Sequence, residues 1–129
     1  MACRLYNNNG FKCGACEHFV RAKSVTLSGT TLIINIETPS VKLVNKQKIC
    51  ICVDKCIPDD VTSADTVVIT IGSNTTEFPW VTDCGNFVHA DQIRTRKVYH
   101  TNFSTDKLVF VTHGCELCKT AYNFPVITV

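Results

Sequence analysis

Long apolar runs are missing from this chain. The longest, such as residues 31–36, fall far short of the roughly 20 residues a spanning helix needs, so no membrane anchor is expected. An apolar leader is missing too. Met1-Ala2-Cys3-Arg4-Leu5-Tyr6-Asn7-Asn8-Asn9 holds no hydrophobic core of the secretory kind, and Cys3 lacks the apolar segment that precedes a lipoprotein cysteine. This predicts a protein made and folded in the cytoplasm. Charge of one sign is also scarce. Lysine and arginine number 13 against 11 acidic residues, for a net charge of +2, and they are scattered, which disfavours nucleic acid as a partner. Catalytic signatures are absent as well: there is no phosphate loop, dinucleotide fingerprint, H-E-x-x-H or calcium loop.

Helical periodicity is nearly absent, and what replaces it is β-branched. Runs of four to eight residues rich in threonine, valine and isoleucine recur between turn signals, the pattern of an all-β fold. At 129 residues the chain suits one domain with a real core. Residues 19–27 and 31–37 read as a hairpin about Ser28-Gly29, with Leu32, Ile34 and Ile36 on the buried face. Residues 48–53 make a further strand, closed by Cys56-Ile57-Pro58. A second hairpin joins 66–71 to 75–78 through Gly72-Ser73-Asn74. A long polar strand at 92–103, a short apolar one at 107–112 and a terminal extended piece at 125–129 follow. The fold expected is a single-domain antiparallel β-sandwich, jelly-roll-like or Ig-like, of about 7–9 strands. It would span residues 13–129, preceded by a polar arm at 1–12.

Cysteine is where the sequence is rich, with nine residues. Two pairs share one spacing: Cys13-Gly14-Ala15-Cys16, followed by His18, and Cys115-Glu116-Leu117-Cys118, preceded by His113. A C-x2-C spacing lets both sulfurs reach one tetrahedral ion, and two such pairs complete a four-thiolate shell. Structural zinc on Cys13, Cys16, Cys115 and Cys118, with His18 or His113 as substitute ligands, is one reading. Disulfides, within the chain or between subunits, are weighed almost equally with it. If the first strand and the strand at 107–112 were antiparallel neighbours, both pairs would lie at one pole of the sandwich. A redox-active C-x-x-C is disfavoured, because no βαβ pattern surrounds either pair.

Cys50-Ile51-Cys52 lies inside a strand, with both sulfurs on one face. Small core filler is the leading reading there, against a cluster with Cys56 and Cys84. Cys3, on the arm, reads as an exposed thiol, intermolecular pairing being weighed evenly against a functionless free thiol, and Cys56 and Cys84 are further crosslink candidates. Arg94-Thr95-Arg96-Lys97, taken as strand, would set Arg94 and Arg96 on one face and Lys97 on the other; a solvated face is favoured over a phosphate site. Cys84, His89 and Asp91 contain the residue types of a nucleophilic triad without a local signature, so no catalysis is read from them. Asn74-Thr75-Thr76 and Asn102-Phe103-Ser104 match the glycosylation sequon, which counts only in a secreted chain.

These features predict a non-enzymatic structural subunit that associates with itself, as homo-oligomer or polymer, or with other particle subunits. Its place would be an extracellular multi-copy assembly such as a phage virion or a bacterial spore surface fibre, reached without a signal peptide. Cysteine crosslinks or zinc would supply durability, and no small-molecule substrate is expected. The architecture resembles that of small cysteine-rich jelly-roll subunits of spore appendages and of β-sandwich decoration proteins of phage heads, with no residue carried over from either. The alternative is an intracellular zinc-stabilised β module that binds a protein or nucleic acid through 94–97.

Overall fold

The computed structural model describes residues 3–6, 11–114 and 117. The chain enters through a single 3-10 turn, Cys13–Ala15, and then runs through β1 (Phe19–Ser28), β2 (Thr31–Ile36), β3 (Gln47–Val53), β4 (Thr66–Ile71), β5 (Phe78–Thr82), β6 (Lys97–Ser104) and β7 (Val109–Thr112), with a second 3-10 turn at Ala90–Gln92 before β6. The expected first hairpin is present. β1 and β2 pair antiparallel from Ala22↔Ile36 to Ser28↔Thr31, and Gly29 takes the positive φ of 62° that the turn requires. Leu32, Ile34 and Ile36 are fully buried, as their alternation predicts.

The sandwich expectation is overturned. Among the described residues the strands close into a seven-stranded mixed barrel in the order β1-β2-β4-β5-β7-β6-β3. Three pairings are parallel: β1 with β3, β2 with β4 and β5 with β7. Alternation of apolar residues records which face of a strand is buried; it carries no information about the direction of its neighbours, so sandwich and barrel look alike in sequence. Closure depends on two strands that change partner along their length. β1 gives Phe19, Val20 and Arg21 to β3 and its remainder to β2, bending at a register shift between Ala22 and Ser24. β5 gives Phe78 and Pro79 to β4, then Trp80, Val81 and Thr82 to β7. The late strand β7 therefore lies between β5 and β6, and β3 and β6 separate it from β1.

The interior is filled by side chains rather than left as a channel. Trp80, Tyr99 and Phe110 are fully buried beside Ile49, Ile51, Val53, Val67 and Ile69. Trp80 meets Tyr99 edge to face at 5.4 Å, and Phe78, Phe103 and Phe110 form a second edge-to-face cluster. The Tyr99 hydroxyl accepts a hydrogen bond from the Arg94 amide at 2.9 Å, whereas Trp80 Nε1 is buried with no hydrogen-bond partner among the described residues. At the far end of β4, Gly72 has φ 56°. A Cβ there would stand 2.8 Å from Thr38 Oγ1, so glycine is favoured on two counts.

Two further expectations change. The stretch 92–103 is not one strand: the turn at Ala90–Gln92, a buried Ile93 and Arg96 at φ 68° all precede Lys97. Residues 3–6 are also not a free arm. Cys3 and Leu5 bridge to Pro58 and Thr95, the Arg4 amide donates to the Ile57 carbonyl, and the Tyr6 amide donates to the Thr95 carbonyl. The expected strand at 125–129 lies outside the described residues. Among the described residues no helix is long and apolar enough to cross a membrane.

Candidate functional site: the cysteine strap on the barrel wall

β3 faces the barrel interior with Ile49, Ile51 and Val53, all buried, so the pleat turns Cys50 and Cys52 outward. Outward cysteines on a filled wall would meet solvent, yet Cys52 is fully buried and Cys50 nearly so. The cover is the segment that begins with the first C-x2-C. Cys13 is bonded to Cys52 and Cys16 to Cys50, with Cα separations of 5.4 and 6.3 Å. The spacings match for a geometric reason. Two residues of strand advance about 6.6 Å, while three residues of 3-10 turn advance about 6 Å and return to the same side. A C-x2-C turn thus lies on a C-x-C strand as two rungs of a ladder. The main chain adds a third tie, from the Cys50 amide to the His18 carbonyl at 2.9 Å.

A third disulfide joins Cys3 to Cys56, with a Cα separation of 5.1 Å. Cys3 is therefore not the exposed intermolecular thiol expected of it, and Cys56 is its partner within the chain. Thr95, buried at this junction, works in two directions. Its main chain pairs with Arg4 and Tyr6, while its hydroxyl accepts from the Ile57 amide at 2.8 Å and donates to the Lys55 carbonyl at 3.1 Å. The neighbouring basic residues serve the same docking. Arg96 stands 5.1 Å from the Phe11 ring and Lys97 4.6 Å from that of Tyr6. Arg94 is half-buried. Together with burial itself, which acts most strongly, it lowers the Arg4 guanidinium from its ordinary value.

The sequence-derived zinc ligands divide. Cys13 and Cys16 come together but on β3, each in a disulfide; Cys115 and Cys118 lie outside the described residues. His18 is about a third exposed, beside Glu17 at 3.9 Å. His113 is largely exposed, with Nδ1 3.3 Å from Asp83 Oδ2. Two groups could nevertheless hold a metal ion. The ligand atoms of Cys16, Cys50 and His100 lie within 4.8 Å of one another, and so do those of Cys13, Cys52 and Asp54. No family model, curated protein or solved structure matches the chain. The site must be read from its own chemistry.

Cys84 is the free cysteine among the described residues, exposed on the turn after β5. It lines an open hollow with His89, Gln92, Phe87 and Leu117, and Asp91 is not among the residues lining it. His89 Nδ1 is buried without a hydrogen-bond partner among the described residues, so the orienting acid that a triad needs is not in place there. Cys50 and Cys52, for which core filler is the leading sequence reading, are instead the partners of the first C-x2-C. Two outward cysteines, on a strand whose other face is already apolar, call for a cover whose own cysteines repeat at a matching rise.

Proposed function

We propose that this chain is a non-enzymatic structural subunit of an extracellular multi-copy assembly, such as a virion or spore-surface particle, with disulfides as its fasteners. The observation that carries the reading is the placement of the three disulfides. All three bonds act on the N-terminal segment, holding residues 3–6 and 11–16 against the outer wall and loops of the barrel. Such bonds fit an oxidising, extracellular environment. They also supply the durability that a small core supplies poorly by itself. A barrel packed with aromatic side chains suits a building block better than a container for substrate. Cys84 and the exposed Phe87 beside it provide a place for crosslinking to a neighbour.

The test is size-exclusion chromatography of the oxidised chain at high concentration, with and without reductant. Species larger than a monomer are expected, a fraction of which survives denaturant until thiol is added and disappears in Cys84→Ser. A monomer under both conditions, carrying stoichiometric zinc, would sink the proposal.

A further inference from the structure

We propose that Cys16, Cys50 and His100 form a binding site for a borderline-soft divalent cation, zinc being the natural case, that opens when the Cys16–Cys50 disulfide is reduced. The three side chains come from three segments: the strap, β3 and β6. Cys50 and His100 stand directly opposite one another in the antiparallel register of β3 and β6, a position that holds Cβ atoms about 4.5–5.5 Å apart. Cys16 closes the triangle, and all three ligand atoms lie within 4.8 Å of one another. Two thiolates and an imidazole are a donor set that suits zinc.

The neighbouring group, Cys13, Cys52 and Asp54, has the same compactness but the wrong surroundings. Arg21 Nη1 stands 3.2 Å from Cys13 Sγ and 3.5 Å from Asp54 Oδ2. A fixed cation already holds the place a metal ion would take. Cys52 is also fully buried and Cys13 nearly so, which closes the route for an incoming ion. The Cys16 group is open by comparison. Cys16 is half-buried, His100 is exposed, and two open hollows flank Cys50, one bordered by His18 and the other by His100 and His113.

The chemistry balances with a dithiol or phosphine as reductant. The S–S bond takes up two electrons and two protons to give two thiols, while the dithiol becomes its own disulfide or the phosphine takes oxygen from water to become its oxide. The cation then displaces both thiol protons to solvent. It forms two metal–sulfur bonds and one metal–nitrogen bond, with water in the fourth position. Tetrahedral geometry with Zn–S near 2.3 Å sets the sulfurs about 3.8 Å apart. The 6.3 Å Cα separation is compatible with that spread. The strap is therefore held to β3 by a covalent bond under oxidising conditions and through a metal ion under reducing ones.

The experiment uses the full chain with Cys115→Ser and Cys118→Ser, which removes the other C-x2-C pair as a competitor. The protein is reduced with a phosphine without air and titrated with cobalt(II), then with zinc in competition. One equivalent of cobalt with thiolate-to-metal charge-transfer absorption is expected, absent from the oxidised protein and from Cys50→Ser. His100→Ala should weaken binding by more than about tenfold, whereas Cys13→Ser should leave it in place. His100 is exposed, so a retained circular dichroism spectrum separates ligand loss from unfolding. Binding that ignores His100, or depends on Cys13 more than on Cys16, overturns the proposal, as does a reduced protein that takes up no metal. Should the double serine variant fail to fold, His100→Ala in the otherwise native chain decides: it must remove one bound equivalent.

Discussion

Removing both rungs of the ladder is expected to cost more than twice the cost of removing either. Cys13 and Cys52 are 39 residues apart and Cys16 and Cys50 are 34 apart, so either bond alone closes nearly the same loop in the unfolded chain. Because Cys3–Cys56 encloses both, that closure adds only a ring of about 15–20 residues through 3–16 and 50–56, worth about 3 kcal/mol in the chain-entropy account. Once one bond is closed, the second closes only a small ring through residues 13–16 and 50–52, worth about 2 kcal/mol. Replacing one pair by alanine should therefore lower stability by about 2 kcal/mol, and replacing both by about 5 kcal/mol. Urea denaturation of the parent, the two paired variants and the quadruple variant measures the coupling. Simple additivity would contradict the nested ladder.

Trp80→Ala is expected to be the most damaging single truncation in the core, at about 3–5 kcal/mol. Trp80 is fully buried, packs edge to face on Tyr99, and opens the part of β5 that has left β4 to pair with β7. Its loss leaves a cavity at the seam of the barrel that rigid strand pairings on both sides cannot fill. The disulfides sit on β3, on the strap and at the N-terminus, so they do not bridge this seam. Far-ultraviolet circular dichroism against temperature would read the effect. A midpoint within a degree or two of the parent would mean that the seam is not where closure is secured.

Much of the strand map was legible because half-buried strands announce themselves by alternation. Residues 31–36 and 66–71 read correctly from Leu32, Ile34 and Ile36 and from Val67 and Ile69, all of which are buried. The return strand expected at 75–78 lies further on, at Phe78–Thr82, because Pro79 does not end it. Pro79 sits instead at the point where β5 departs from β4, and a missing amide there costs the ladder little. The stretch before β6 misled for the opposite reason. Arg94, Thr95 and Arg96 alternate like a strand, but their positions are set by contact with residues 3–6, a tertiary effect that no local pattern carries. Barrel closure was hidden for the same cause: β2 beside β4 and β5 beside β7 are parallel pairs of non-consecutive strands.

The cysteines were half legible. Their number and the C-x2-C spacing marked Cys13 and Cys16 as ligands or bridges, but identical spacing drew attention to a match between the two C-x2-C pairs. The partner the fold provides is the C-x-C of β3, because a tight turn and a strand cover similar distances with three and two residues. Equal rise, rather than equal spacing, is the property that predicts the ladder.

Disulfide mapping of the oxidised protein, by intact mass with and without reductant followed by proteolysis under non-reducing conditions, tests this connectivity most directly. The account predicts peptides joined through Cys3–Cys56, Cys13–Cys52 and Cys16–Cys50. Cys13 or Cys16 recovered as a free thiol, or joined to Cys115 or Cys118, would contradict it.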